Sequence, residues 1–87
     1  MTFDELASIN EQLKYIGDTP DLYKDAIVGL TSDDEHLIYS YDKLIESMMK
    51  VNGWTYEEAV EWTDYNTIRS LPYMKPCEPI IMFDLEK

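Results

Sequence analysis

Three of the four prolines fall between positions 72 and 79, at Pro72, Pro76 and Pro79. A proline disfavours helical geometry in the residue before it, so helical pattern upstream is expected to stop by Leu71. The Pro72–Pro79 stretch reads as a rigid, non-helical connection. Whatever follows it must be a separate element. Ile80-Ile81-Met82-Phe83 follows and reads as a last strand, with Asp84-Leu85-Glu86-Lys87 as a charged tail.

Upstream of that spacer, helix signals are local and strong. Thr2-Phe3-Asp4-Glu5 has the form of a capping box. Phe3, Leu6, Ile9, Leu13 and Ile16 recur every three or four residues, which predicts a first amphipathic helix stopping at Gly17. Asp18-Thr19-Pro20-Asp21 reads as a turn. Ser40 is placed to cap a second helix with Asp42 in its first turn and Leu44, Ile45, Met48 and Met49 as its apolar stripe; Asn52-Gly53 ends it. Thr55-Tyr56-Glu57-Glu58 is a second capping box. The helix it opens is expected to turn Ala59, Val60, Thr63 and Ile68 inward.

Between the first two helices lie two short β-rich runs, 26–30 and 37–39, joined by the polar loop 31–35, which predicts a hairpin. Leu37 and Tyr39 share one face of the second run; His36 and Ile38 share the other. The predicted order is α-β-β-α-α-β. This is an α+β fold with a small three-stranded, mostly antiparallel sheet packed against helices, and the last strand is free to pair on either side of the hairpin.

The chain has 87 residues, so a single domain, 1–87, is expected, since one compact domain takes roughly 50 residues or more. Hydrophobic residues are 45% and aromatics 13%, which sets it apart from a disordered acidic tail. Eighteen Asp and Glu against seven Lys and Arg give a net charge of −11. Direct nucleic-acid binding, which needs a basic footprint, is therefore not expected. An acidic surface is also repelled by anionic membranes, no apolar run approaches the length of a membrane span, and the N-terminus has no basic-then-apolar leader pattern. The expected location is the cytoplasm.

The residues offer no catalytic or cofactor signature. Cys77 and His36 are the only cysteine and histidine, too few for a zinc site. Asp33-Asp34-Glu35 lacks the alternating ligands and central glycine of an EF-hand loop. A Cys77–His36 dyad has no orienting third group, and neighbouring Glu78 would raise the thiol pKa. Three isolated glycines build neither a P-loop nor a dinucleotide site. No enzyme activity, no cofactor and no metal are expected.

The acids and rings are more informative. Glu57, Glu58, Glu61 and Asp64 load one helix over about 10 Å of axis, with no Lys or Arg between Lys50 and Arg69. Asp33, Asp34 and Glu35 form a second group at the hairpin tip; Asp18, Asp21 and Asp25 form a third. Trp54, Tyr56, Trp62, Tyr65 and Tyr73 cluster around the third helix. One reading makes these rings the core of a small domain, with Trp54 stapled over Ala59. But Tyr56, Val60, Thr63 and Thr67 lie on one side of the helix and Trp62 and Tyr65 on another, so some rings are expected on the surface as interface anchors.

The segment Trp54 to Arg69, followed by Pro79-Ile80-Ile81-Met82-Phe83, resembles small acidic proteins of bacteriophages and prophages that carry a YEEA-E-x-x-x-YN helix and a final P-I-I strand. The similarity spans roughly residues 26–84 and places Tyr56, Glu57, Glu58, Ala59, Glu61, Tyr65 and Asn66 in a shared pattern; the first 25 residues depart from it. Phage proteins of this kind include anti-CRISPR inhibitors, several of which look like DNA to the effector complexes they block. The resemblance implies a non-enzymatic inhibitor. Its partner would be a basic nucleic-acid-binding protein, a CRISPR effector complex in a bacterial host cell. Glu57, Glu58, Glu61, Asp64, Asp33, Asp34 and Glu35 are the expected contacts, with Trp62 and Tyr65 as anchors. The Tyr65-Asn66 pair also has a structural reading, an amide tying the helix to the proline spacer. The alternative function is a phage accessory or structural interaction module, as a homodimer, whose charge serves solubility.

Overall fold

The computed structural model describes residues 3–16 and 20–85. Thr2, Gly17, Asp18 and Thr19, to which the first cap, the first helix stop and part of a turn were assigned, lie outside the described residues, as does the side chain of Asp21.

Helix α1 spans Phe3–Ile9, shorter than the apolar spacing predicts. Asn10 is the reason. Its Oδ1 accepts the Gln12 N–H at 3.0 Å, a local turn that competes with helical bonding, and its Nδ2 donates to the Asp34 carbonyl at 2.9 Å. Leu13 and Ile16 are nonetheless buried in the core, reached by irregular chain rather than by a helix face. A 3-10 turn over Pro20–Ala26 then leads into β1, Ile27–Leu30.

Strand β2, Leu37–Ser40, pairs antiparallel with β1, as the hairpin pattern predicts, with one irregularity in register between Ile27 and Gly29. Strand β3, Ile80–Met82, lies on the other side of β2, so the sheet order is β1-β2-β3. The fold is α+β, but the sheet is mixed: β3 runs parallel to β2, matching Ile38 with Ile80 and Ser40 with Met82. Ser40 ends β2 and at once caps α2, and the helical segments that follow carry the chain back to the end of the sheet where β2 began. A return of that length enters as a parallel neighbour.

Helix α2, Tyr41–Asn52, forms as its sequence predicts. Ser40 Oγ accepts the Lys43 N–H at 3.3 Å and donates to Asp84 Oδ2 at 2.7 Å, so one hydroxyl caps the helix and holds the chain beyond β3. Gly53 takes φ 68° and its N–H bonds to the Met49 carbonyl, the left-handed stop that favours glycine. Helix α3, Tyr56–Trp62, opens with both halves of the Thr55/Glu58 capping box. The helical path then widens into a π-helical segment, Thr63–Ile68, which periodicity alone does not reveal. Thr67 is buried there, and Ile68, expected inside, is half-buried. The proline spacer is also not wholly irregular. Leu71–Met74 is one 3-10 turn with Pro72 in its first positions, where a fixed φ and a missing N–H cost little. The Lys75–Pro76 bond is cis.

The core joins Leu37 and Tyr39 of β2 to Leu44, Ile45 and Met48 of α2, with Leu6, Leu13, Ile16, Tyr23, Ala26 and Ala59 around them. Tyr39 is fully buried, and its hydroxyl oxygen accepts the Ile16 N–H at 3.1 Å. Burial pushes its pKa up to about 12. Among the described residues, no helix is long and apolar enough to cross a membrane.

Candidate functional site

The continuous rod formed by α3 and the π-helical segment carries six of the nine predicted contact residues. Ala59, Thr63 and Thr67 turn inward and are buried; Glu57, Glu58, Glu61, Trp62, Asp64 and Tyr65 are exposed. The two-stripe conflict seen in the sequence is thus resolved by leaving the rings outside. Trp62 is 40% exposed and Tyr65 65%. Tyr56 and Tyr73 are exposed as well, so of this aromatic cluster only Trp54, half-buried, packs against the core as that reading expects; the buried aromatics are Tyr23 and Tyr39.

Each acid sits differently. Glu58 Oε1 accepts the Thr55 N–H at 3.0 Å, so this carboxylate serves its own helix first. Asp64 Oδ1 accepts the Tyr41 hydroxyl at 2.9 Å. Burial, and then the Asp64 contact, push the Tyr41 pKa up to about 12. The Tyr41 ring packs on Phe83 at 4.8 Å, which ties the rod to α2 and to the chain after β3. Glu57 and Glu61 have no hydrogen-bond or ion-pair partner among the described residues.

Trp54 is half-buried, and its ring lies 5.6 Å from that of Trp62 at 42°. Asn66 does not reach the proline spacer. Its Nδ2 donates to the Trp62 carbonyl, one turn back on the same rod. Trp54, Trp62, Tyr65, Asn66, Glu58 and Glu61 together line an open groove of about 620 Å³. Trp62 and Asn66 also border a second hollow of about 460 Å³, on the side of Tyr15 and Tyr23. Arg69 stacks on Tyr65, its Cζ 4.3 Å from the ring centroid. Trp54 and Asn66 belong to the groove although neither was among the predicted contacts. The signal for Trp54 was its place just before the N-cap, where a large side chain packs back onto its helix.

Asp33, Asp34 and Glu35 form a different place. They sit at the hairpin tip, and no hydrogen bond, ion pair or ring contact among the described residues joins them to the rod. Asp33 Oδ1 accepts the Thr31 hydroxyl and the Glu35 N–H, and these bonds hold its pKa below the usual carboxylate value. Asp34 has φ 61°, and its carbonyl accepts from Asn10. His36 Nδ1 lies 2.7 Å from the Glu78 carbonyl and 3.2 Å from Glu78 Oε1, so Nδ1 carries a proton. Ligating atoms of Asp33, Glu35 and His36 come within 4.8 Å of one another. Cys77 is buried with φ 66°, and its Sγ faces Asn10 Nδ2 at 3.9 Å. No family model, no curated protein and no solved structure matches the chain.

Proposed function

We propose that this chain is a non-enzymatic inhibitor that binds a basic nucleic-acid-binding protein and occupies the site where that protein holds DNA. What carries the reading is one solvent-facing rod on which Glu57, Glu61 and Asp64 are exposed beside exposed Trp62 and Tyr65. Like charges spaced along a helix destabilise it slightly, and among the described residues no cation pairs with those on this rod. A cationic groove in a partner would supply the missing counter-charge, steer the encounter and bury the rings as anchors. The resemblance to phage proteins makes a CRISPR effector the partner of choice, in the cytoplasm of a bacterial host. Such nucleases hold nucleic acid in a positive channel, where carboxylates would compete directly.

The test is inhibition of a CRISPR effector by the purified chain, with Glu57→Lys, Glu61→Lys and Asp64→Lys combined. Glu58 is left in place because it closes the capping box. The triple variant is expected to fold and to lose inhibition. Binding by the unaltered chain should weaken between about 0.05 and 0.5 M salt, as screening shortens the reach of surface charge. Full inhibition by the triple variant would remove the rod from the mechanism.

A second reading has its own observation. Ile80, Met82, Phe83 and Leu85 are exposed along and just beyond the edge strand β3. An open apolar edge suits pairing with a second copy in an accessory or structural protein. A salt-independent dimer by light scattering would favour that reading.

A further inference from the structure

We infer that the groove edged by Glu58 and Glu61 and walled by Trp54, Trp62 and Tyr65 takes an arginine side chain of the partner, an assignment that rests on the basic-partner reading above. Three observations select that occupant. First, among the described residues no lysine, arginine or histidine lines the groove, while two carboxylates do. Glu61 is unpartnered among the described residues, and Glu58 commits Oε1 to the Thr55 N–H, leaving its second oxygen for another donor. Second, the rest of the lining is aromatic apart from Asn66, whose Nδ2 is held by the Trp62 carbonyl. Ring faces attract cations, and a guanidinium stacks on them while still forking to a carboxylate. Third, the molecule already makes the stacking half of this contact with its own Arg69, whose guanidinium lies on the Tyr65 ring that lines the groove.

Other occupants fit less well. An apolar side chain would strip water from two carboxylates without compensation. A phosphate would be repelled by them. A lysine would satisfy the charge, but a compact ammonium lacks the planar face that matches the rings.

The experiment uses the full chain at low salt with three short peptides: one rich in arginine, one with lysine at the same positions, and a neutral one. Tryptophan emission and amide chemical shifts report binding. The arginine peptide is expected to perturb Trp54, Trp62 and Glu61 resonances and to bind at least about threefold more tightly than the lysine peptide, with the neutral peptide inert. Glu61→Gln and Trp62→Leu should each weaken it about fivefold or more, while Glu46→Gln, an exposed acid on α2, should not. If Trp62→Leu disturbs the circular dichroism spectrum, Tyr65→Leu, at a more exposed ring, takes its place. Arg69→Gln removes the internal competitor and is expected to tighten arginine binding. Equal binding of the arginine and lysine peptides, unchanged by Glu61→Gln and the ring variant, would overturn the groove assignment while leaving a charge-driven partner in place. Failure of both cationic peptides to bind would overturn the two readings together.

Discussion

Thr63 is buried with its hydroxyl lacking any hydrogen-bond partner. A buried hydroxyl loses its water and regains nothing, whereas valine of the same shape has nothing to lose. Thr63→Val is therefore expected to stabilise the fold by about 1 kcal/mol, a rise in melting temperature of about 4–8 °C for a domain of this size. A melt followed by circular dichroism checks it, and a lower melting temperature would show that the hydroxyl has a partner in solution. The residue pattern does place Thr63 on the inner face of its helix. It does not say whether the oxygen finds a partner, because that depends on which atoms the fold packs against it. Ser40 makes the same point. Its role as a cap is written in its position before α2, but its bond to Asp84, 44 residues later, exists only because β3 lies beside β2.

Elements closed by bonds between near neighbours are the best read. The α2 caps, Ser40 and Gly53, and the α3 capping box all form within four residues along the chain, so the sequence contains both partners. Thr55→Ala removes the acceptor of the Glu58 N–H at 3.2 Å and should cost about 1 kcal/mol, visible as a lower urea midpoint with an unchanged slope. It should also loosen the Glu58 carboxylate at the edge of the groove. Helix α1 is the opposite case. Its apolar spacing continues to Ile16, yet the helix ends at Ile9, where the Asn10 amide accepts the Gln12 N–H in a local turn and is held there by its bond to the distant hairpin carbonyl of Asp34. The π-helical widening after Trp62 left no mark in the periodicity, since the same apolar positions suit an α-helix.

Across the whole molecule, alkaline pH should be the sensitive direction. Tyr39 and Tyr41 both have pKa values raised from 10.0 to about 12, Tyr39 chiefly by burial and Tyr41 by burial and then by Asp64. Above pH 10 the unfolded chain gives up these protons while the folded chain keeps them. The folded state then binds more protons, so stability falls as pH rises. The contribution is complete below pH 10 and is lost as pH climbs towards about 12. Urea midpoints measured from about pH 8 to about pH 11.5 should be flat at first and then drop, and Tyr39→Phe combined with Tyr41→Phe should flatten the drop. An equally steep fall in that double variant would assign the effect elsewhere.

The α+β class, the hairpin, the two capped helices and the acid-loaded face of α3 are all legible in the chain, because each depends on local spacing, capping chemistry or a count of charges. The parallel course of β3, the early end of α1 and the groove between Trp54 and Tyr65 are not. The first two involve contacts between residues far apart in sequence, and the free energy of such a contact depends on which surfaces packing has already brought together; the groove lies within residues 54–66, and what decided it was which of their rings packing left outside. The rings show the division most clearly. Local pattern could say that Trp62 and Tyr65 leave the inner stripe of their helix, but only the packed chain could stand Trp54 beside them and turn three separate side chains into one cleft.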